Sequence, residues 1–186
     1  MRSRVRNGKH FIIYTIKYSK VLHREDGPAI IYPDGSREWY RYGERHRLDG
    51  PAIEDILGYK GWYIKGKLHK EDGPALIHAD GSKDWYRHGK LHRLDGPAVE
   101  STCGYKAWYI DGEFHRTGGP AIIPGDGTKI WYRHGRLHRE DGPAIEGVNS
   151  FPIFYLNHHP LTKEEWLKAL TPGQQQAMLF SEYFIN

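Results

Sequence analysis

The chain has 186 residues, 38% hydrophobic and 13% aromatic, which is long enough for one compact domain or a short solenoid but implies a thin core in which rings supply much of the buried area. Lys and Arg number 27 against 23 Asp and Glu, giving +4 with the 12 His neutral, and the two signs interleave as on a solvated surface instead of massing in a polybasic tract. Cys103 is the single cysteine, so no internal disulfide can form, a reducing cytoplasmic setting is the simplest expectation, and no stretch approaches the ~18 apolar residues of a membrane span.

At the N-terminus Arg2, Arg4 and Arg6 precede an apolar run, Phe11 to Ile13, too short for the core of a signal peptide. Phe11 to Tyr18 alternates well enough for a strand, and residues 1–21 are expected to form an N-terminal cap. The chain then becomes periodic. HRxDGPA, with single replacements, begins at His23, His46, His69, His92, His115 and His138, each 23 residues after the last and without insertion or deletion. A strict short period means one supersecondary unit stacked on its neighbours, so the recurring residues are first of all the parts that make stacking work.

One unit, His23 to Gly43, holds an apolar run from Ala29 to Tyr32, a turn signal Pro33-Asp34-Gly35-Ser36 and a second strand ending in Trp-Tyr. This predicts a β-hairpin with a two-residue Asp-Gly turn, which would set Ile30 opposite Trp39 and Ala29 opposite Tyr40. Trp39, Trp62, Trp85, Trp108 and Trp131, with Phe154 closing the series, are then expected to be mainly buried, and the Tyr after each to occupy the other face. The second connection ends in Asp-Gly-Pro turn chemistry, from which the fifth copy departs with Gly118 in place of Asp.

A slower rhythm overlies the first. Where a strand ends in Arg41, Arg87 or Arg133, the residue 13 positions later is Glu54, Glu100 or Glu146; where it ends in Ile64 or Ile110, that residue is Ile77 or Ile123. Joint replacement of this kind predicts an Arg–Glu contact across strands, in units of 46 residues that each hold two unlike hairpins. The pattern decays after Phe154-Tyr155, and Thr162 with Glu165 forms a capping box. Helices are expected at Lys163 to Leu170 and, opened by Thr171-Pro172, at Gly173 to Phe184, so the chain divides into a cap at 1–21, a hairpin array at 22–160 and a helical cap at 161–186.

Strand ends reading WYRYG, WYIKG and WYRHG before the HRxDGPA connection resemble the MORN class of repeats, specifically the variant rich in WYxxGxxHRxDGPA found in phage, giant-virus and bacterial proteins, over about residues 14–160. The resemblance implies an elongated antiparallel sheet used as a scaffold or binding surface, in some members for phosphoinositides or partner proteins. The expected fold is therefore all-β: six 23-residue β-hairpin repeats in a twisted antiparallel MORN-like sheet with short C-terminal helices. Three 46-residue units closing as a β-trefoil or a propeller are the alternative, because so many strands in one open sheet tend to curl or split.

Six near copies of one turn do not make the single asymmetric site that catalysis needs, and neither a P-loop nor a dinucleotide fingerprint is present, so no enzyme and no cofactor are expected. A shared metal is not expected either. Copies of the motif His two strands apart would lie about 9.6 Å from one another, too far for one ion. The function expected is a non-catalytic binding scaffold, with Arg41, Tyr42, Arg87, His88, Arg133 and His134 as candidate binding residues because they distinguish one hairpin type from the other. Its partner would be a protein or an anionic small ligand, with a homo-oligomer possible in principle. The resemblance directs this to a phage-type inhibitor of a host defence protein or a sponge for an anionic nucleotide signal, acting in the host cytoplasm if the protein is viral. A nucleic-acid-binding protein and a nucleotide hydrolase are the rival readings.

Overall fold

A computed structural model describes residues 2–6, 9–16, 20–148 and 150–183. The chain is an all-β array of antiparallel hairpin repeats followed by two helices, and it divides into two compact units, Met1–Arg93 with Ala98–Thr102, and Leu94–Pro97 with Cys103–Asn186. No helix among the described residues is long and apolar enough to cross a membrane.

The repeat is built from two ladders that share a strand. Ile30–Ile31 pairs with Arg37–Glu38, Ile30 opposite Glu38 and Ile31 opposite Arg37. The turn between them spans three residues: Tyr32 N–H does not close on Gly35 but donates to Ser36 O at 2.9 Å, while Gly35 N–H donates to Tyr32 O at 3.0 Å with Gly35 at φ 94°. This corrects the expected two-residue turn and moves the register by one, so Ile30 faces Glu38 and not Trp39. Gly at the fourth position of a type I turn supplies the left-handed residue of the following bulge; Pro33 suits the second position but is not required, because Asp55 to Tyr59 and His78 to Ser82 close the same turn without it.

The two-residue turn exists on the other connection. Tyr40–Arg41 pairs with Glu44–Arg45, and the intervening Tyr42 and Gly43 both have positive φ, 51° and 83°, the mark of a type I′ turn. Between the ladders the chain passes through Trp39, whose N–H donates to Ala52 O at 2.8 Å in the next repeat, while its C=O accepts from His46 N–H at 3.1 Å. One strand thus serves the sheet with its first half and the turn ribbon with its second.

In the first unit the sheet runs through Arg2–Arg6, Lys9–Ile13, Ile30–Ile31, Arg37–Glu38, Ile53–Glu54, Lys60–Gly61, Leu76–Ile77, Lys83–Asp84 and Val99–Glu100, each antiparallel to the next. In the second it runs through Lys106–Ala107, Ile122–Ile123, Lys129–Ile130 and Ile145–Glu146. Neither sheet pairs its last strand with its first among the described residues, so both are open, and neither trefoil nor propeller closure is seen within a unit. The strand expected at Phe11 to Tyr18 is observed as Lys9–Ile13, continued by a bridge from Thr15 to Leu22; Lys17 and Tyr18 lie outside the described residues.

The buried centre of each repeat is not its Trp but its Ala. Ala29, Ala52, Ala75, Ala98, Ala121 and Ala144 are all fully buried, whereas Trp39, Trp62, Trp85, Trp108 and Trp131 are half-buried. The expectation of mainly buried Trp is corrected by what covers the rings, since a motif cation lies on each: Arg47 over Trp39 at 3.9 Å, Lys70 over Trp62 at 3.9 Å, Arg93 over Trp85 at 4.0 Å, Arg116 over Trp108 at 3.8 Å and Arg139 over Trp131 at 3.8 Å. A guanidinium stacked on a π-face shields the ring while leaving part of it to water.

At the C-terminal end Phe154–Leu156 pairs with His159–Leu161 around Asn157 and His158, both at positive φ. Helix α1, Lys163–Ala169, is opened by the predicted capping box: Thr162 Oγ1 accepts from Glu165 N–H at 3.2 Å, and Glu165 Oε2 accepts from Thr162 N–H at 2.9 Å. It lowers Trp166, fully buried, against Phe154, and Trp166 Nε1 donates to Arg139 O at 2.9 Å. Helix α2, Pro172–Tyr183, begins one residue before the expected Gly173; Phe184, its expected end, lies outside the described residues.

Candidate binding edge

Each type I′ turn places a different side chain on the same backbone geometry. Tyr42, Lys65, His88, Asp111, His134 and Asn157 all sit between φ 48° and 52°. Positive φ is unfavourable for Tyr, Lys and His, so something must hold the turn. That something is the motif His. The turn residue's N–H donates to its Nδ1 from 19 positions downstream: Tyr42 to His23 at 3.1 Å, Lys65 to His46 at 3.1 Å, His88 to His69 at 3.1 Å, His134 to His115 at 3.2 Å and Asn157 to His138 at 3.1 Å. With Nδ1 as the acceptor, Nε2 is the ring nitrogen left to donate.

Three of the predicted binding residues also lie against that His. The Tyr42 ring is 4.4 Å from His23, His88 is stacked 4.3 Å from His69 at 24°, and His134 is 4.3 Å from His115. They remain exposed on their outer side, so each is both an element of the turn and a surface group. Burial, reinforced by the positive charges of His134 and Arg133, lowers the pKa of His115 from its ordinary value. Donor atoms of His69, Glu71 and His88 lie within 4.8 Å of one another, but His69 Nδ1 is already engaged and near-parallel rings do not aim their lone pairs at a common point, so the arrangement is a stack and not a chelate.

The predicted pairs Arg41–Glu54, Arg87–Glu100 and Arg133–Glu146 are not formed. Arg41 reaches Glu25 at 3.8 Å, Arg87 reaches Glu71 at 3.6 Å and Arg133 reaches Glu140 at 3.9 Å, all three guanidiniums being about half exposed, at 49%, 49% and 51%. Glu54 and Glu100 take the motif Arg instead, Arg47 at 3.1 Å and Arg93 at 2.9 Å, and Glu146 takes Arg139. The cause is the division of the strand at Trp: Arg41 lies in the ribbon half, opposite Glu44, whereas Glu54 pairs in the sheet half, opposite Arg37.

Within each unit successive turns are joined by backbone. Gly66 N–H donates to Arg45 O at 2.9 Å and Gly89 N–H to Leu68 O at 2.8 Å in the first, and Gly135 N–H to Phe114 O at 3.0 Å in the second. Tyr42, Lys65 and His88 therefore stand in a row along one edge, with Arg41 and Arg87 beside the outer two. Sequence reasoning missed the motif cation as a functional part. A regular signal carried it, since every Trp of the array has Arg or Lys eight residues later. No protein-family model matches the chain, and no curated protein matches it significantly.

Proposed function

We propose that this chain is a non-catalytic binding scaffold of the MORN type that recognises its target through the turn edge. The observation that supports this is the separation of constant from variable parts: the same His-to-backbone bond holds five of the turns, while the residue it holds is Tyr, Lys, His or Asn. A scaffold that spends its repetition on holding a position still, and its variation on the group displayed there, suits recognition rather than turnover. The half-exposed Arg41, Arg87 and Arg133, each held by a long ion pair, favour a target with negative charge. The resemblance to phage, giant-virus and bacterial repeats directs the reading to a host defence protein or an anionic nucleotide signal.

The test uses a variant that keeps the turn and removes the displayed groups. Asn tolerates positive φ, so Tyr42→Asn, His88→Asn and His134→Asn together should fold as the wild type does. Protein purified from host cells would be examined by native mass spectrometry. A protein or ligand retained by the wild type and lost from the triple variant is the expected result; equal retention by both, or product formed from a nucleotide incubated with the wild type, would sink the proposal.

A further inference from the structure

The groove between consecutive motif turns recurs in the fold, and two of its copies can be compared side by side. In the first unit a groove of 570 Å³ lies between the turns of His23 and His46, and in the second a groove of 520 Å³ lies between those of His115 and His138, lined by residues 92 positions further on. The first is neutral. Its Arg24, Arg41 and Arg47 are matched by Glu25, Asp26 and Asp49, with Arg24 to Asp26 at 3.0 Å, Arg41 to Glu25 at 3.8 Å and Arg47 to Asp49 at 3.1 Å.

The second has lost two of these three acids. The positions of Glu25 and Asp26 are taken by Thr117 and Gly118, while Arg116, Arg133 and Arg139 keep their places and Lys129 lines the groove as well. In the lining, Glu140 and Asp141 stand against these four cations, and Glu146, outside it, also takes Arg139. Asp141 is held by Arg139 at 2.8 Å, and Glu140 is shared among Arg133, His138 and Gln174. Arg116 has no carboxylate partner among the described residues. Its Nη1 donates to Pro120 O at 3.1 Å and its guanidinium lies on Trp108, so it is held in place with donors to spare. Gly118 leaves open space where a side chain would stand, with nothing within 4 Å of an added Cβ. Burial without a compensating acid also lowers the pKa of Arg116 from its ordinary value.

We infer that the groove formed by Arg116, Lys129, Arg133 and Arg139 binds a compact dianionic group, a phosphate monoester, whose oxygens take the places that Glu25 and Asp26 fill in the first groove. The two carboxylates that the first groove has and this one lacks call for a dianion, and a fixed guanidinium with spare donors matches phosphoryl oxygens in a forked pair of hydrogen bonds. The site names one ligand class for the binding reading above and rests on it only in taking ligand retention, not reaction, as the purpose of the surface.

The test is calorimetric titration of the full chain at constant ionic strength with methyl phosphate and, separately, malonate. One saturable site, with methyl phosphate bound more tightly, is expected. Thr117→Glu with Gly118→Asp, which restores the acids, should weaken binding at least tenfold; Asp is among the residues that accept Gly118's φ of 79°, and circular dichroism would verify the fold. Should that variant not fold, Arg133→Gln, at a half-exposed side chain, should also weaken binding about tenfold. Glu25→Thr with Asp26→Gly should add a second site. Absence of saturable binding by the wild type, unchanged binding by the folded restored variant or by Arg133→Gln, or a preference for malonate would overturn the assignment, and none of these results bears on the turn-edge variant of the preceding test.

Discussion

A Trp ring with a guanidinium on its face is worth less to the fold than a Trp sealed in a core, because part of its area stays in water and the cation adds only about 0.5–2 kcal/mol. Trp39, half-buried beneath Arg47, contrasts with Trp166, which is fully buried and donates its Nε1 hydrogen to Arg139 O. Trp39→Ala should therefore cost about 2 kcal/mol and Trp166→Ala about 4 kcal/mol, the usual cost for a buried Trp being ~3–5 kcal/mol. Urea denaturation of the two variants checks the order; a larger loss from Trp39→Ala would return the Trp series to the core. His115 carries a second residue-scale consequence. Its Nδ1 accepts from His134 N–H, Thr117 offers it no carboxylate where three other copies have Glu, and burial together with His134 and Arg133 lowers its pKa. A depressed folded pKa means that this contribution to stability is fully present above the unfolded value of ~6.5 and is lost as pH falls through that value toward the folded one. The urea midpoint should fall between pH 7.5 and pH 5, and His115→Asn, which keeps an acceptor but does not titrate, should show a smaller fall.

At the scale of the element, the type I′ turn is a strained device held by its neighbour. Lys65 has φ 48°, a conformation that Asn accepts readily, and its exposed side chain adds little that would be lost. Lys65→Asn should therefore stabilise the protein by about 0.5–1 kcal/mol, measured by thermal unfolding, because left-handed backbone costs a non-Gly, non-Asn residue of order 1 kcal/mol or more. A variant that melts below the wild type would mean that the Lys side chain supports the turn. The hairpin period, the capping box at Thr162 and the end of the array at Phe154 were legible in the sequence, because each depends on local chemistry. The placing of the two turn types was not. Asp34-Gly35 has the composition of a two-residue turn, and Pro33 beside it does not mark the longer one, since Asp80-Gly81 makes the same turn after Ala79, whereas Tyr42-Gly43 carries no composition signal because the force that holds Tyr42 at positive φ is a ring nitrogen 19 residues upstream. The same non-local bond explains why the candidate site was only half legible: the exposed residues could be named, but their dependence on His23, His69 and His115 could not.

For the array as a whole, what matters is phase. Each repeat passes its Trp N–H to the next repeat's Ala carbonyl, receives its His N–H bond from its own turn ribbon, and repeats both at an interval of 23 residues. An internal repeat can then be removed if the interval is kept. Deleting His46–Leu68, 23 residues, joins Arg45 to His69 and gives each lost backbone partner an equivalent from the next repeat, while setting two hairpins of one type side by side. The cost should be the share of one repeat, about 1–3 kcal/mol at ~0.05–0.15 kcal/mol per residue. Deleting His46–Lys67, 22 residues, leaves one residue too many between Arg45 and His69, and in a sheet a one-residue slip turns every side chain to the other face unless a bulge absorbs it. The 22-residue deletion should thus melt well below the 23-residue deletion although it removes less of the chain. If both unfold at the same temperature, the fold depends on the count of repeats and not on their phase, and the hydrogen bonds through Trp and Ala are not what carries order from one repeat to the next.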